Sequence, residues 1–290
     1  MPVFRPSEYL VPETVDEAVA LLRDYKDRAK IIAGGTQVYE TAMKGMIPKV
    51  EKLLDIRKLG LNYIKEEGGH VKIGAMTTFT DMLESELLKK ALPIIVEAVS
   101  LIRPVQIRNV ATMGGSICSG LPFFDIPSAL LTLDATVKAV SSSGERVLNV
   151  DGFFIDYFLT ALKPNELITE IAIPKPPANT GSAFLKMERT LVDLPTVNTA
   201  VRLTMDNGRC KVARIAVGAV AQVPLRLKKA EKRLEGKELT EAAIAEAAEE
   251  AYREVKPVRG VHASAEYKRH VCRVLVKRAL TQVKEKLKGG

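Results

Sequence analysis

The sequence predicts an α+β protein of about two domains. Three observations support this fold class. The chain has 290 residues, of which 47% are hydrophobic, and this is enough to bury a large core. Its N-terminal part alternates strands with a helix. Beyond residue 181 it begins with strands and continues with helices, which is typical of an antiparallel sheet that carries its helices on one face.

The N-terminal part follows a strand–helix–strand–loop–strand order. Thr14 is in position to cap a helix over 15–25, because Glu17 lies three residues further on, as in a capping box. Apolar residues then recur at helical spacing. Short apolar runs predict buried strands over 30–33 and 52–56.

The middle of the chain mixes both element types. Its predicted strands cover 63–66, 70–73, 137–140 and 166–173. Its predicted helices cover 80–90, 93–102 and 127–131. The intervening stretch 104–124 is rich in Gly and Ser and is therefore predicted to be a loop.

A turn-rich segment at 175–181, with two prolines, an Asn and a Gly, is the predicted domain boundary. The strands predicted beyond it cover 183–190, 196–205 and 211–220, with a hairpin turn at Asp206-Asn207-Gly208. The helices predicted after them cover 228–234, 240–253 and 264–287.

Composition and charge disfavour several classes of protein. No apolar run approaches the roughly 18–20 residues of a membrane helix, and the N-terminus lacks the pattern of a signal peptide, so a cytoplasmic location is expected. The net charge is +8, and nearly all of the excess lies beyond Pro224. These charges alternate with acids and lack interleaved aromatic residues. A solvated helical face, or a docking surface for an acidic partner, is favoured over nucleic-acid binding.

The spacing of cysteine and histidine argues against a metal site. The three cysteines are far apart and form no CxxC pair: Cys118, Cys210 and Cys272. Neither an iron–sulfur cluster nor a zinc site is expected from this chain alone, and buried or partly buried thiols are predicted instead. The three histidines also lack the spacing of metal ligands: His70, His262 and His270.

Two glycine pairs are the candidate ligand sites. Gly34 and Gly35 follow a buried strand, so their amide groups could converge on a phosphate without Cβ atoms in the way. Gly114 and Gly115 lie within the stretch 104–124, and the two pairs together could hold one pyrophosphate. A tight turn is the alternative for an isolated pair. Neither the Rossmann GxGxxG nor the Walker motif occurs, which disfavours a nicotinamide dehydrogenase and a P-loop ATPase.

Four motifs occur in order along the chain. They are Ala33-Gly34-Gly35-Thr36, Lys72-Ile73-Gly74-Ala75-Met76-Thr77-Thr78, Gln106-Ile107-Arg108-Asn109 with Thr112-Met113-Gly114-Gly115, and Ala263-Ser264-Ala265-Glu266-Tyr267-Lys268-Arg269 with Lys277-Arg278-Ala279-Leu280. This combination resembles the FAD-binding medium subunits of molybdenum hydroxylases, the family of the carbon monoxide dehydrogenase and xanthine dehydrogenase flavoprotein subunits. The similarity runs from residue 2 to about 285.

The resemblance implies a fold of three parts. Two FAD-binding subdomains of the vanillyl-alcohol-oxidase/PCMH type are expected over 1–58 and 59–175. A C-terminal α+β domain of the carbon monoxide dehydrogenase flavoprotein type is expected over 176–290, with a three-stranded antiparallel sheet and helices. An extended FAD would lie between the first two parts, and the third would close over the flavin.

The resemblance also implies a set of FAD-binding residues. They are Ile31, Ile32, Ala33, Gly34, Gly35, Thr36, Gln37 and Val38 in the first loop, Thr112, Met113, Gly114, Gly115 and Ser116 in the second, and the separate residues Asp125, Ile168 and Lys186. Asp125 would hydrogen-bond a hydroxyl of FAD. Ile168 and Lys186 would approach the flavin from the strands on either side of the linker. No catalytic or metal-binding residue is implied.

This sequence departs from the family pattern at three places. Gln37 stands where the family usually has Asp, and Ser116 where it usually has Asn. The approach to Asp125 contains Phe123 and Phe124 in place of the usual Ser-Pro-Ala pattern, and these rings would pack on the flavin, on a partner or in the core.

The function that the resemblance implies is electron transfer. A large subunit would oxidise the substrate at a molybdenum cofactor, and a small subunit with [2Fe-2S] clusters would relay the electrons to FAD in this chain. FAD would pass them to an external acceptor, within a dimer of heterotrimers. A stand-alone flavin oxidoreductase with its own substrate pocket and a scaffold subunit without a cofactor are the alternatives.

Overall fold

The computed structural model describes residues 6–47, 50–260 and 263–288. The first region is a parallel sheet of order β1-β3-β2 with helices between its strands. Its elements are β1 (Glu8–Leu10), α1 (Val15–Tyr25), β2 (Ala29–Ile32), α2 (Thr36–Met43) and β3 (Lys52–Asp55). The predicted start of α1 is confirmed, because the Thr14 hydroxyl accepts a hydrogen bond from the Glu17 amide at 3.2 Å.

The second region is built on an antiparallel sheet of order β4-β5-β10-β6-β7. Its first elements are β4 (Ile64–Glu67), β5 (His70–Gly74), α3 (Phe79–Glu84), α4 (Glu86–Ala91), α5 (Pro93–Ser100), α6 (Val105–Arg108), α7 (Met113–Cys118) and α8 (Asp125–Thr132). They are followed by β6 (Thr136–Ser141), β7 (Gly144–Asn149), the hairpin β8 (Phe154–Asp156) and β9 (Leu159–Thr160), and β10 (Leu167–Pro174). The four strands predicted here are confirmed, and β7, β8 and β9 had no counterpart in the sequence analysis.

Two predictions in this region were wrong. The single helix expected over 80–90 divides at Ser85, whose extended backbone ends α3 and whose hydroxyl caps α4 by accepting from the Leu88 amide at 3.3 Å. The loop expected over 104–124 contains α6 and α7. Glycine weakens a helix, but Thr112 caps α7 with its side chain and offsets this cost.

The third region carries the sheet β11-β12-β13-β14 and three helices. Its elements are β11 (Thr180–Met187), β12 (Val197–Asp206), β13 (Arg209–Gly218), β14 (Leu225–Arg226), α9 (Lys228–Lys232), α10 (Glu241–Glu254) and α11 (Ala265–Lys288). The three predicted strands are confirmed, and β14 adds a short fourth. Asn207 and Gly208 form the predicted hairpin turn with φ of 49° and 76°, as a type I′ turn requires.

The two faces of this sheet pack against different regions of the chain. Val197 and Val201 belong to the hydrophobic cluster under α10 and α11. Ala200, on the opposite face, belongs to the cluster of the second region, where α8 packs on β12 and β13 and α5 packs on β11. The antiparallel sheet is therefore covered on both sides, and its second face is the junction with the rest of the protein.

The cysteines divide into two kinds. Cys210 and Cys272 are buried as predicted, whereas Cys118, at the end of α7, is exposed and corrects the expectation of a buried or partly buried thiol. His262 lies outside the described residues. Across the described ranges, no helix combines the length and apolar character that crossing a bilayer demands.

Candidate cofactor site

Gly34 brings the first loop against the second region. A Cβ atom at this position would lie only 1.6 Å from the carbonyl oxygen of Val110. No side chain fits there, so the backbone after β2 lies directly on the backbone before α7. This contact brings the two glycine pairs that the sequence analysis singled out to neighbouring positions.

The start of α2 presents free amide groups. Gly35 has a φ of 75° and precedes the helix without a side-chain cap, and the first helical bond runs from the Tyr39 amide to the Gly35 carbonyl at 2.8 Å. Among the described residues, no hydrogen-bond acceptor contacts the amides of Gly34, Gly35 or Thr36. Converging amides at the positive end of a helix are suited to an anion.

The second glycine pair is organised differently. The Met113 and Gly114 amides donate to the carbonyl oxygens of Thr77 and Ala75, each at 2.9 Å, and the Gly115 amide donates to the Thr112 hydroxyl at 3.1 Å. These amides therefore already donate hydrogen bonds to acceptors within the protein. The second pair begins the helix α7 and ties it to the end of β5.

Gly114 and Gly115 face in different directions. A Cβ at Gly114 would approach Ala75 to 2.8 Å, so this glycine allows α7 to pack on the chain that follows β5. A Cβ at Gly115 would meet only the hydroxyl of Thr112 at 3.0 Å, and Gly115 is exposed. Gly115 therefore presents an open face of α7.

Cys118 lies at the C-terminal end of α7 and is exposed. Desolvation raises the pKa of its thiol to about 12, against the opposing effect of the nearby Lys30 ammonium. The first loop, over 31–38, is half-buried along its whole length, and α2 buries no residue.

Gln37 contributes an unsatisfied polar atom to this region. Its side-chain oxygen Oε1 is buried, and within the described residues it has no hydrogen-bond partner. Burying an acceptor without a donor is costly, so a ligand hydroxyl or amide would stabilise the side chain at this position.

Asp125 and Lys186, predicted as separate site residues, lie together. Asp125 begins α8 and Lys186 lies near the end of β11, and their charged atoms are 3.3 Å apart with both side chains buried. The Lys186 ammonium also contacts Glu188 at 2.9 Å and the carbonyl oxygen of Leu101 at 3.4 Å. Burial raises the pKa of Asp125 to about 6, although Lys186 and Asn198 act in the opposite direction.

The sequence analysis missed two members of this cluster. Glu188 follows Lys186 by two residues, and the period of a strand would have placed both on one face. Asn198 is fully buried in β12 and donates to the Asp125 carboxylate at 2.9 Å. The presence of an Asn within an otherwise apolar strand could have indicated this role, since a buried side-chain amide requires hydrogen-bond partners.

Ile168 is apolar and takes no part in the polar contacts of this cluster. It is 2% exposed at a register shift of β10 and belongs to the same hydrophobic cluster as Met113 and Ile117 of α7. The adjacent Thr169 carbonyl accepts a hydrogen bond from the Ala75 amide at 3.0 Å. This part of β10 thus supports the segment on which α7 rests.

Known proteins match the chain along nearly its whole length. The family model of the FAD binding domain in molybdopterin dehydrogenase matches residues 4–176, and that of the CO dehydrogenase flavoprotein C-terminal domain matches 182–283. The chain belongs to the family of FAD-binding medium subunits of molybdenum hydroxylases. The resemblance inferred from the four motifs is confirmed.

The relatives in this family are close in sequence and in fold. The carbon monoxide dehydrogenase medium chain of Hydrogenophaga pseudoflava is 36% identical over 94% of this chain and 95% of its own length. That of Afipia carboxidovorans is also 36% identical, over 97% and 98%. The solved carbon monoxide dehydrogenase from Hydrogenophaga pseudoflava, in a form lacking the Mo-pyranopterin moiety of its cofactor, has a TM-score of 0.94 at 36% identity and covers 98% of this chain and 99% of its own.

The first loop and α7 are chemically suited to the FAD of this family. Free amides at the start of α2 suit the negative charge of a pyrophosphate. The exposed Gly115 leaves the surface of α7 free of a side chain, and the buried Gln37 Oε1 offers an acceptor for a hydroxyl group. The residues present therefore fit a dinucleotide cofactor.

The contact of Gly34 with Val110 predicts that Gly34→Ala destabilises the protein. The added methyl group must displace a backbone carbonyl, and overpacking of this kind costs about 1–3 kcal/mol. We expect a lower free energy of unfolding in urea. Gly260→Ala is the control for general loss of glycine, because its φ is not positive and the nearest atom to the added methyl group is the flexible end of the Lys268 side chain, at 3.2 Å. A Gly34→Ala protein no less stable than the control would contradict the contact.

The buried Asp125 predicts a specific pH dependence of stability. Its pKa in the folded protein, about 6, lies above the ordinary pKa of an aspartate, 3.8, so its contribution to stability is complete below about pH 4 and is lost as the pH rises through 6. Asp125→Asn cannot titrate. We expect the unfolding free energy of the wild type to fall relative to this variant by about 3 kcal/mol over that window. Parallel curves for the two proteins would show that the carboxyl group is not desolvated.

Proposed function

We propose that this chain is the electron-transfer subunit of a molybdenum hydroxylase complex and holds FAD between its first glycine loop and α7. The observation that carries the proposal of a cofactor cleft there is the group of unpartnered amides at the start of α2, which the close contact of Gly34 holds beside the segment that leads into α7.

In this proposal the predicted site residues have distinct roles. The amides of Gly34, Gly35 and Thr36 bind the pyrophosphate, while Ile31, Ile32, Ala33, Gln37 and Val38 line the same side of the cleft. The short helix α7 forms the opposite side through Gly115 and Ser116, with Thr112, Met113 and Gly114 fixing its position. Asp125 and Lys186 contact the flavin part, and Ile168 supports that surface from β10.

The proposal also divides the chain into three parts, 1–58, 59–175 and 176–290. Three hydrophobic clusters support it. The first is centred on α1 and β3, the second on the five-stranded sheet, and the third on the C-terminal sheet with α10 and α11. The first cluster also includes Leu61, Met76 and Leu167, so the first two parts would share a packed boundary.

The electrons reach FAD from another subunit in this proposal. A large subunit oxidises the substrate at a molybdenum cofactor, and a small subunit with [2Fe-2S] clusters relays the electrons. FAD, when bound, supplies the redox chemistry that no amino-acid side chain provides and passes the electrons to an external acceptor. The residues of this chain hold and orient it. A dimer of heterotrimers is the proposed assembly.

Exposed apolar side chains near the cleft support contact with a partner subunit. Tyr39 and Met43, on α2, are 69% and 54% exposed, and Ile155 and Leu159, on the β8–β9 hairpin, are 55% and 53% exposed. The hairpin is attached beside α7, because the Phe158 amide donates to the Gly120 carbonyl at 3.0 Å. Large apolar groups gathered on one side of a molecule are typical of a protein interface.

The proposed FAD contact at Gly115 gives a graded test. Gly115→Ala and Gly115→Val add side chains that point into the cleft and leave the contacts of Gly114 intact. We expect the FAD dissociation constant to rise with side-chain size, by about tenfold or more for valine, while the unfolding midpoint of the apoprotein changes little. Flavin fluorescence during titration measures the affinity. If both variants bind FAD with wild-type affinity, α7 does not form part of the FAD site.

The proposed electron path is tested with a reduced partner. The [2Fe-2S] subunit is reduced with dithionite, desalted and mixed anaerobically with this chain loaded with FAD. We expect the visible flavin absorbance to bleach, because electrons pass from the clusters to FAD. An artificial acceptor added afterwards should restore it. If the flavin stays oxidised beside the reduced partner, the chain does not act as its electron acceptor, and the stand-alone oxidoreductase becomes the better hypothesis.

A further inference from the structure

Asn198 joins the C-terminal sheet to the start of α8. Its side-chain amide donates to the Asp125 carboxylate at 2.9 Å and to the Phe124 carbonyl at 3.2 Å, and its oxygen accepts from the Ser128 hydroxyl at 2.7 Å. Asn198 and Ser128 are fully buried. One side chain of β12 therefore satisfies three polar groups on the helix that carries Asp125.

The backbone around Asn198 is shaped to hold it in place. Gly218, its partner on β13, has no room for a side chain, because a Cβ there would lie 2.5 Å from the Asn198 side-chain oxygen and 2.8 Å from the Pro122 carbonyl oxygen. The next amide, that of Ala219, donates to the same Pro122 carbonyl at 2.8 Å. The start of β12 and the end of β13 therefore contact the segment 122–128 and hold it in place from one side.

The charges around Asp125 make its orientation important. Lys186 is the cation that faces it, at 3.3 Å, and Glu188 competes for the same ammonium at 2.9 Å. With one lysine shared by two carboxylates in a buried place, the neutral donor on Asn198 decides which way the Asp125 carboxylate points. Without that donor, a buried charge would lose a hydrogen bond that nothing else in the cluster supplies.

We propose that Asn198 is a positioning residue of the FAD site, which orients Asp125 and thereby makes FAD binding depend on docking of the C-terminal sheet against α8. This inference rests on the proposed function, because it takes Asp125 as a contact of FAD. It assigns to the C-terminal part of the chain a direct role in forming the cofactor site. Asn198 itself acts only through Asp125.

The test compares FAD titrations of the full chain for three variants. Asn198→Ala removes the donor, and we expect the FAD dissociation constant to rise about tenfold or more, the scale of a hydrogen bond to a buried charge. Ser128→Ala removes only the bond to the Asn198 oxygen and should give a smaller increase. Thr199→Val is the matched control, since this residue lies next to Asn198 on the opposite face of β12, and its hydroxyl has no partner in the described part of the chain. Its affinity should equal that of the wild type.

Asn198→Asp separates positioning from general damage to the fold. The introduced carboxyl group has the shape of the native side chain but donates only when protonated. At about pH 8 it should repel Asp125 and weaken FAD binding, whereas towards pH 5.5 the two carboxyl groups share a proton and the bond is restored. The affinity of this variant relative to the wild type should therefore recover as the pH falls. This recovery should exceed any recovery of Asn198→Ala, because Asp125 titrates in both variants but alanine cannot donate at any pH.

The outcomes distinguish the inference from the function on which it rests. A wild-type chain that takes up no FAD would contradict the proposed function. If the wild type binds FAD and Asn198→Ala binds it equally well, the inference alone is wrong. A ratio for Asn198→Asp that does not change with pH would also overturn it, because the loss would then come from packing and not from the hydrogen bond to Asp125.

Discussion

The close backbone contact between Gly34 and Val110 is the constraint on which the proposed cofactor cleft depends. Only a residue without Cβ allows the chain after β2 to lie on the carbonyl before α7. Because of this contact, the free amides at the start of α2 lie beside the segment that leads into α7. A wider separation would leave the amides exposed to bulk water, where they would bind an anion weakly.

A second constraint acts at the start of α8. There the interface between the C-terminal sheet and the rest of the protein is polar, because the side chains of Asp125, Lys186 and Asn198 are all buried in it. Such an interface contributes less stability than an apolar interface of equal area, since desolvating charges costs free energy. It does define one orientation, because Asn198 bonds to Phe124, Asp125 and Ser128 at the same time. The raised pKa of Asp125 reflects the cost of that arrangement.

The two glycine pairs show how far local sequence can be interpreted. Both follow the pattern Gly-Gly beside a hydroxyl residue, and both were predicted to be phosphate loops. In the structure the first pair keeps its amides free, whereas those of Met113 and Gly114 bond to the end of β5. The difference arises from what lies opposite each pair. The carbonyls of Ala75 and Thr77 are distant in sequence and carry no signal in the motif itself.

The sequence by itself determined most of the strands and helices and the family, because these follow from hydrophobic periodicity, turn residues such as Asn207-Gly208 and short motifs. Through the resemblance it also predicted Asp125 and Lys186 as site residues. Only the tertiary structure brought these two side chains together, added Asn198 and Glu188, and separated the role of Gly115 from that of Gly114. The physical reason is that each of these facts depends on contacts between segments far apart in the chain, which no local pattern encodes.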